Sequence, residues 1–107
     1  MKIHRLQDFK GGWFAGAFTP TAHHSEAFEV GYKLHLKGDV WPAHYHAEAT
    51  EINLLIRGRM RLRGVTIEEG TVFIIDPGEV ADPVFLRDCE LVVIKTPSLP
   101  GDKYEVQ

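Results

Sequence analysis

Apolar and polar positions alternate along several short segments of the chain. Between residues 28 and 37 the even positions are apolar and the odd positions are polar or charged, apart from Gly31. This period of two predicts a strand, and we expect its apolar face to be buried. Residues 51–57 are almost continuously apolar after Glu51, which is typical of a strand covered on both faces. Further strands are predicted at 59–63, 71–75 and 90–96.

Glycine and proline interrupt every stretch that could otherwise form a helix, and Asp76-Pro77-Gly78 is a strong turn signal. Short strands separated by turns predict an all-β, antiparallel sandwich or barrel. A chain of 107 residues forms one domain. We place its core barrel at 28–96, an N-terminal arm at 1–27 and a C-terminal wrap at 97–107, and we expect the wrap to carry no chemistry.

Composition excludes several classes of function. Twelve Lys and Arg against fifteen Asp and Glu leave a net charge of -3, so we expect no nucleic-acid partner. The longest apolar runs are about five residues, against roughly 20 for a membrane-spanning helix, so no membrane partner is expected. A single cysteine and the absence of a leader-like segment predict a reducing, cytoplasmic location.

Two histidines and a glutamate form the candidate metal site. His44 and His46 are two residues apart, which places them on one face of a strand, and Glu51 follows at the start of the next one. Two imidazoles and a carboxylate suit divalent Fe, Mn, Ni or Zn and leave coordination positions open. The alternative is a pair of solvated histidines flanking an exposed tyrosine.

The residues from Gly38 to His46, together with Glu51 and Gly58, resemble the first motif of the cupin superfamily. Its pattern is Gly, five residues, His-x-His, four residues, Glu, six residues and Gly, and every fixed position is filled. Residues 70–78 resemble the second motif. The resemblance implies a small, single-domain, RmlC-like cupin, a double-stranded β-helix or jelly-roll barrel with His44, His46 and Glu51 inside it.

The second motif departs from the cupin pattern at one ligand position, because Ala81 stands where cupins normally supply a last histidine. One interpretation is a two-His-one-Glu metal site with an extra open position. The other is a pocket that has lost its metal. Asp82 is a possible additional ligand, although it would need a bulge to point inwards.

The residues that we expect inside the barrel indicate a small-molecule site. Asn53 shares the face of Glu51, His35 can approach from an adjacent strand, and Trp41 lies near the mouth. We expect a small-molecule ligand that is carbohydrate-like or a small organic acid. If the protein is an enzyme, a metal-dependent oxygenase or isomerase is expected. The alternative is a metal-free ligand-binding or structural cupin without catalysis.

Apolar residues on both faces of 52–56 require a cover on the outer side of the sheet. The N-terminal arm and a second copy of the chain are the available covers, and we predict a homodimer.

Overall fold

The computed structural model describes residues 1–106, so Gln107, the last residue of the predicted wrap, lies outside the described part. In chain order the strands are β1 (Trp13–Ala15), β2 (Glu29–His35), β3 (His44–Tyr45), β4 (Thr50–Arg57), β5 (Arg59–Leu62), β6 (Val65–Glu68), β7 (Val72–Ile75), β8 (Val84–Phe85), β9 (Cys89–Thr96) and β10 (Tyr104–Glu105). Two 3-10 turns, Leu6–Asp8 and Lys10–Gly12, precede them. No helix within residues 1–106 has the length and apolar character needed to cross a bilayer.

The strands form two main sheets. The larger sheet has the order β1-β2-β9-β4-β7, and the smaller one has the order β6-β5-β8. A third, two-stranded ladder joins β10 to β3. Every pair of these strands is antiparallel, which confirms the predicted all-β class.

The N-terminal arm contributes an edge strand. β1 pairs with β2 at the margin of the larger sheet, with Trp13 opposite Gly31. A side chain at Gly31 would place its Cβ 2.7 Å from the Trp13 ring, so only glycine lets the indole lie against the inner side of β2. The arm is therefore built into the edge of the sheet, and it does not cover the outer face.

Because of the register of the larger sheet, the odd-numbered residues of its paired long strands all lie on the same side. Lys33 of β2 lies opposite Leu91 of β9, which lies opposite Leu55 of β4. Odd-numbered residues of these strands point inwards because Leu55 and Leu91 belong to the core.

This register corrects the expectation for β2. Its apolar even-numbered face, which we expected to be buried, points outwards, and Leu34 is 57% exposed. Lys33 and His35 point inwards instead. Alternation predicts two faces, but it does not by itself say which one meets the second sheet.

The apolar core fills one end of the space between the two sheets. Its buried members are Leu55, Met60, Ile67, Phe85, Cys89, Leu91 and Val93. At this end Gly58 has a φ of +110°, and a Cβ there would lie 2.3 Å from the carbonyl oxygen of Asp88. The glycine that ends the first motif is therefore required where the chain passes close to a neighbouring backbone.

Leu55→Ala tests the position of the core. Leu55 is fully buried, so its truncation should lower the free energy of unfolding by about 2–5 kcal/mol. Leu6→Ala removes the same atoms from a residue that is 44% exposed, and it should cost less than about 1 kcal/mol. Urea denaturation followed by circular dichroism measures both. Equal losses in the two variants would contradict the assigned core.

Candidate functional site

A cavity of about 190 Å³ lies between the two sheets, next to the apolar core. Its walls are apolar side chains that include Met60, Leu62, Phe73, Phe85 and Leu91. Its polar lining is formed by Lys33, His35, His44, His46, Glu51, Asn53, Lys95 and Lys103. Pockets that enclose drug-sized molecules measure about 300–1,000 Å³, so this cavity suits a smaller molecule.

His46 is fixed by the C-terminal segment. Its Nδ1–H donates a hydrogen bond to the carbonyl oxygen of Asp102. The Asp102 carboxylate in turn accepts from the backbone N–H groups of Ala47, Glu48 and Ala49, at 2.9, 3.2 and 3.0 Å. Burial opposes ionisation of this carboxylate, but those three donors outweigh it and hold the pKa of Asp102 below its ordinary value. One residue of the wrap thus holds both the ring of His46 and the turn that leads to Glu51.

His44 is held in a similar way from within its own segment. Its Nδ1–H donates to the carbonyl oxygen of Pro42 at 3.0 Å, and its backbone forms a two-way bridge with Ala81. The ring is buried, and burial lowers the pKa of His44, which favours the neutral imidazole. Its ring centroid lies 5.4 Å from that of His46.

Glu51 is mostly buried, with 13% of its side chain exposed, and its contacts hold it as a carboxylate. Asn53 Nδ2 donates to Oε2 at 3.1 Å, which leaves Oε1 facing His46 Nε2 at 3.4 Å. Burial alone would raise the pKa of Glu51, but its contacts with His46 and Asn53 and the nearby Lys95 charge lower it overall. Glu51 is therefore an anion at neutral pH.

The contact between His46 and Glu51 places two acceptors together. A carbonyl oxygen only accepts, so the Nδ1 of His46 carries the proton, and in the neutral ring Nε2 is then a bare lone pair. This Nε2 is buried and has no hydrogen-bond partner within residues 1–106. A lone pair facing a carboxylate is stabilised only by a cation between them, which is either a proton or a metal ion.

The donor set fits a divalent transition metal in its chemistry. Both imidazoles have Nδ1 bound to a backbone carbonyl and Nε2 available, which is how metal-ligating histidines are oriented. Of the three expected ligands, only His46 and Glu51 have their donor atoms in direct contact. Over the described part of the chain, no group of three His, Cys, Asp or Glu side chains is arranged to hold a metal ion.

The other predicted site residues separate into two groups. His35, Asn53 and Trp41 all line the cavity. The His35 ring stacks on the Phe85 ring, with 4.3 Å between ring centroids. It also packs edge-to-face against Trp41, with 5.2 Å between ring centroids. Asp82 is exposed and accepts a hydrogen bond from the backbone N–H of Arg63 at 2.7 Å.

Asp82 is therefore not an additional ligand in this structure. Its neighbour Ala81 takes the inward position on the cavity wall, so the carboxylate points to the opposite side of the segment.

Several cavity residues were missed by the sequence analysis. Trp13 comes from the arm, and Lys103 comes from the wrap, which we expected to carry no chemistry. Lys33 and Lys95 point inwards because of the strand register described above. Gly31 was a usable signal for Trp13, since a glycine inside an alternating strand often marks the close approach of another group.

Neither a protein-family model nor a curated protein sequence matches the chain, whereas solved structures do. An uncharacterized conserved protein with a double-stranded β-helix domain from Klebsiella pneumoniae superposes with a TM-score of 0.72 at 15% identity, over 98% of this chain and 91% of that one. Pac13 of Streptomyces, described as a unique nucleoside dehydratase and also solved with uridine, gives 0.67 at 12% identity, over 78% and 71%. A cupin-2 domain protein from Shewanella frigidimarina gives 0.56 at 18% identity, over 65% and 71%. The chain therefore has the double-stranded β-helix fold of the cupins, as its motifs predicted.

The environment of His35 predicts how stability depends on pH. Burial and the nearby Lys33 charge lower the pKa of His35, against a smaller opposing effect of Asp39. The unfolded chain then binds more protons than the folded one once the pH falls below the ordinary value of 6.5, so acidification destabilises the fold. We expect His35→Gln to lose less stability than the unsubstituted protein between pH 7.5 and 5.5, as measured by urea denaturation. An unchanged pH dependence would contradict this assignment.

Proposed function

We propose that this cupin binds a divalent transition metal, Fe, Mn, Ni or Zn, through His44, His46 and Glu51, and that it binds or acts on a small molecule in the barrel. The observation that carries the proposal is the buried Nε2 of His46, which faces the Glu51 carboxylate at 3.4 Å and has no hydrogen-bond partner in the part of the chain that the structure describes. A divalent cation would satisfy both groups, and His44, whose ring centroid lies 5.4 Å from that of His46, would supply a further imidazole donor.

Hydrogen bonds within the chain orient these donor atoms. The carbonyl oxygens of Asp102 and Pro42 keep the proton of each imidazole on Nδ1, and Asn53 orients the Glu51 carboxylate. The apolar walls lower the local polarity and so strengthen the electrostatic interactions beside them. A bound divalent metal would supply Lewis-acid polarisation of a ligand oxygen, the chemistry that a metal-dependent oxygenase or isomerase uses.

Metal content of protein purified without added ions tests this function. We expect about one equivalent of a transition metal per chain by elemental analysis, and little or none in the double variant His44→Ala, His46→Ala. His24→Ala removes an exposed imidazole in the N-terminal arm and should leave the metal content unchanged. Metal-free wild-type protein that takes up no added Fe, Mn, Ni or Zn would overturn the proposal.

A second candidate function is a metal-free pocket. It is favoured by Ala81 at the usual ligand position and by the lack of an assembled three-donor group within residues 1–106. The cation between His46 and Glu51 would then be a proton, and the pair could donate or accept that proton at a bound small molecule. Pac13, which shares the fold at 12% identity, is named a dehydratase and was solved with uridine. Ligand binding by protein without metal would support this alternative.

We also propose that the protein is a homodimer that pairs through the outer face of the larger sheet. The outward side chains of β2, β4, β7 and β9 are almost all apolar: Val30, Tyr32, Leu34, Ile52, Leu54, Ile56, Val72, Ile74, Val92 and Ile94. Leu34, Val72 and Ile74 are each more than half exposed in the single chain. An apolar face of this breadth is self-complementary, so a second copy can cover it without burying unpaired charge.

A charge placed on this face tests the dimer. Light scattering at micromolar concentration should give twice the 12.1 kDa chain mass for the unsubstituted protein, and Ile74→Asp should shift it to the single-chain mass. Val65→Asp introduces the same charge at a 62% exposed residue of β6 in the smaller sheet, and it should remain dimeric. A single-chain mass for the unsubstituted protein would refute the dimer.

The cytoplasmic location remains a proposal based on the single cysteine. The Cys89 thiol is fully buried, and it donates to the carbonyl oxygens of Arg59 and Arg87, each at 3.3 Å. Burial raises the pKa of the thiol, so Cys89 acts as a small core residue and not as a nucleophile. These features suit a protein that folds and works in a reducing compartment.

A further inference from the structure

Three lysines and two tryptophans surround the polar side of the cavity. Lys33 and Lys95 belong to neighbouring strands of the larger sheet, and their Nζ atoms lie 5.6 and 4.8 Å from the centre of the Trp13 ring. Lys103 reaches the cavity from the C-terminal segment, with its Nζ 4.7 Å from the centre of the Trp41 ring. All five side chains line the cavity. The aromatic faces attract the ammonium groups and hold them at its edge.

Within the described part of the chain, the three lysines, unlike three of the arginines, have no carboxylate partner. Arg57, Arg59 and Arg63 pair with glutamates at 3.3, 3.0 and 3.2 Å. Among residues 1–106, by contrast, no carboxylate oxygen lies within 4.0 Å of any of the three ammonium groups. Lys33 donates one hydrogen bond to the carbonyl oxygen of Gly11 at 2.8 Å, which neutralises no charge.

The three charges also lie close enough to repel one another. Partial burial lowers the pKa of Lys33 below its ordinary value, and the charges of Lys95 and Lys103 lower it further. Of the described residues, Glu51 is the one acidic side chain in the lining of the cavity. Glu29 and Glu51 lie opposite Lys95 on its two neighbouring strands, but among residues 1–106 neither carboxylate lies within 4.0 Å of its ammonium group. The lining therefore carries an excess of positive charge, although the chain as a whole has a net charge of -3.

We propose that Lys33, Lys95 and Lys103 form an anion subsite, which receives the carboxylate or phosphate group of the small molecule that the cavity binds. This inference deepens the proposed function and rests on its small-molecule pocket, but it does not depend on the metal. The anionic group lies against the lysines, and the rest of the molecule extends between Trp13, Trp41 and the apolar walls. Neutral sugars lack the group that this subsite recognises and bind more weakly.

The chain contains a direct reporter of the subsite, because Trp13 and Trp41 are its only two tryptophans. Their two indole N–H signals in a ¹H–¹⁵N NMR spectrum both come from the lysine edge of the cavity. Chelator-treated protein is titrated with inorganic phosphate, with malonate as a small dicarboxylate, and with glycerol as a neutral control. We expect saturable shifts with at least one of the two anions and none with glycerol, and the stronger anion identifies the preferred group.

Charge-removing variants assign the effect to the lysines. Lys95→Gln and Lys103→Gln should each raise the Kd for the anion by about tenfold, since each removes one charged hydrogen-bond donor. Lys95→Arg keeps the charge and should retain most of the affinity, which separates loss of charge from loss of fold. Lys37→Gln removes an exposed lysine outside the cavity and should bind as the unsubstituted protein does.

The outcomes separate this inference from the metal proposal. Absence of saturable shifts with both anions overturns the anion subsite, as does equal binding by the Lys95→Gln and Lys37→Gln variants. Elemental analysis of the same lysine variants should show the metal content of the unsubstituted protein. If the protein takes up no metal but binds an anion through the lysines, the anion subsite is supported and the metal proposal is overturned. If it binds metal but no anion, the anion subsite alone is overturned.

Discussion

The constraint on which the structure depends is the shared alternation of inward and outward residues across the larger sheet. The register aligns odd-numbered residues of β2, β4, β7 and β9 on one side, so Leu55 and Leu91 enter the core while Glu51 and Asn53 enter the cavity. The same register sends the apolar even-numbered residues outwards. A single geometric rule therefore determines the cavity, the core and the apolar outer face, and a slip of one residue would exchange them.

Within this frame, the C-terminal segment completes the site. The carbonyl oxygen of Asp102 binds the His46 ring, and its carboxylate binds the backbone N–H groups of residues 47–49. The next residue, Lys103, extends to the cavity edge. The Nε2 of His46 is thus held against the Glu51 carboxylate, next to the ring of His44, and this arrangement attracts a cation. The lysines on the other part of the lining attract an anion. A small molecule with an anionic group can satisfy both parts of the cavity at once.

Much of the fold and part of the site could be predicted from the sequence. Alternation and short apolar runs located β2, β4, β5, β7 and β9 to within about two residues at each end, and the spacing of His44, His46 and Glu51 within the first motif indicated the cupin fold. The inward face of β2 could not be predicted, because alternation defines two faces and the larger apolar one lies outside. Asp102 and Lys103 could not be predicted either, and Gly31 was the one signal for Trp13. These residues join the site through contacts between segments far apart in the chain, which local patterns do not record. Asp82 was wrong as a ligand because the side chain that points inwards at that segment belongs to Ala81.

The central claim is that His44 and His46 both turn Nε2 towards the cavity while Nδ1–H is bound to a backbone carbonyl. Long-range ¹H–¹⁵N correlation spectra of the imidazole rings measure this directly in metal-loaded protein. The account predicts that both rings are protonated at Nδ1 and unprotonated at Nε2. A ring of either residue protonated at Nε2 with a bare Nδ1 would contradict it, because that ring would offer no free lone pair to the cavity.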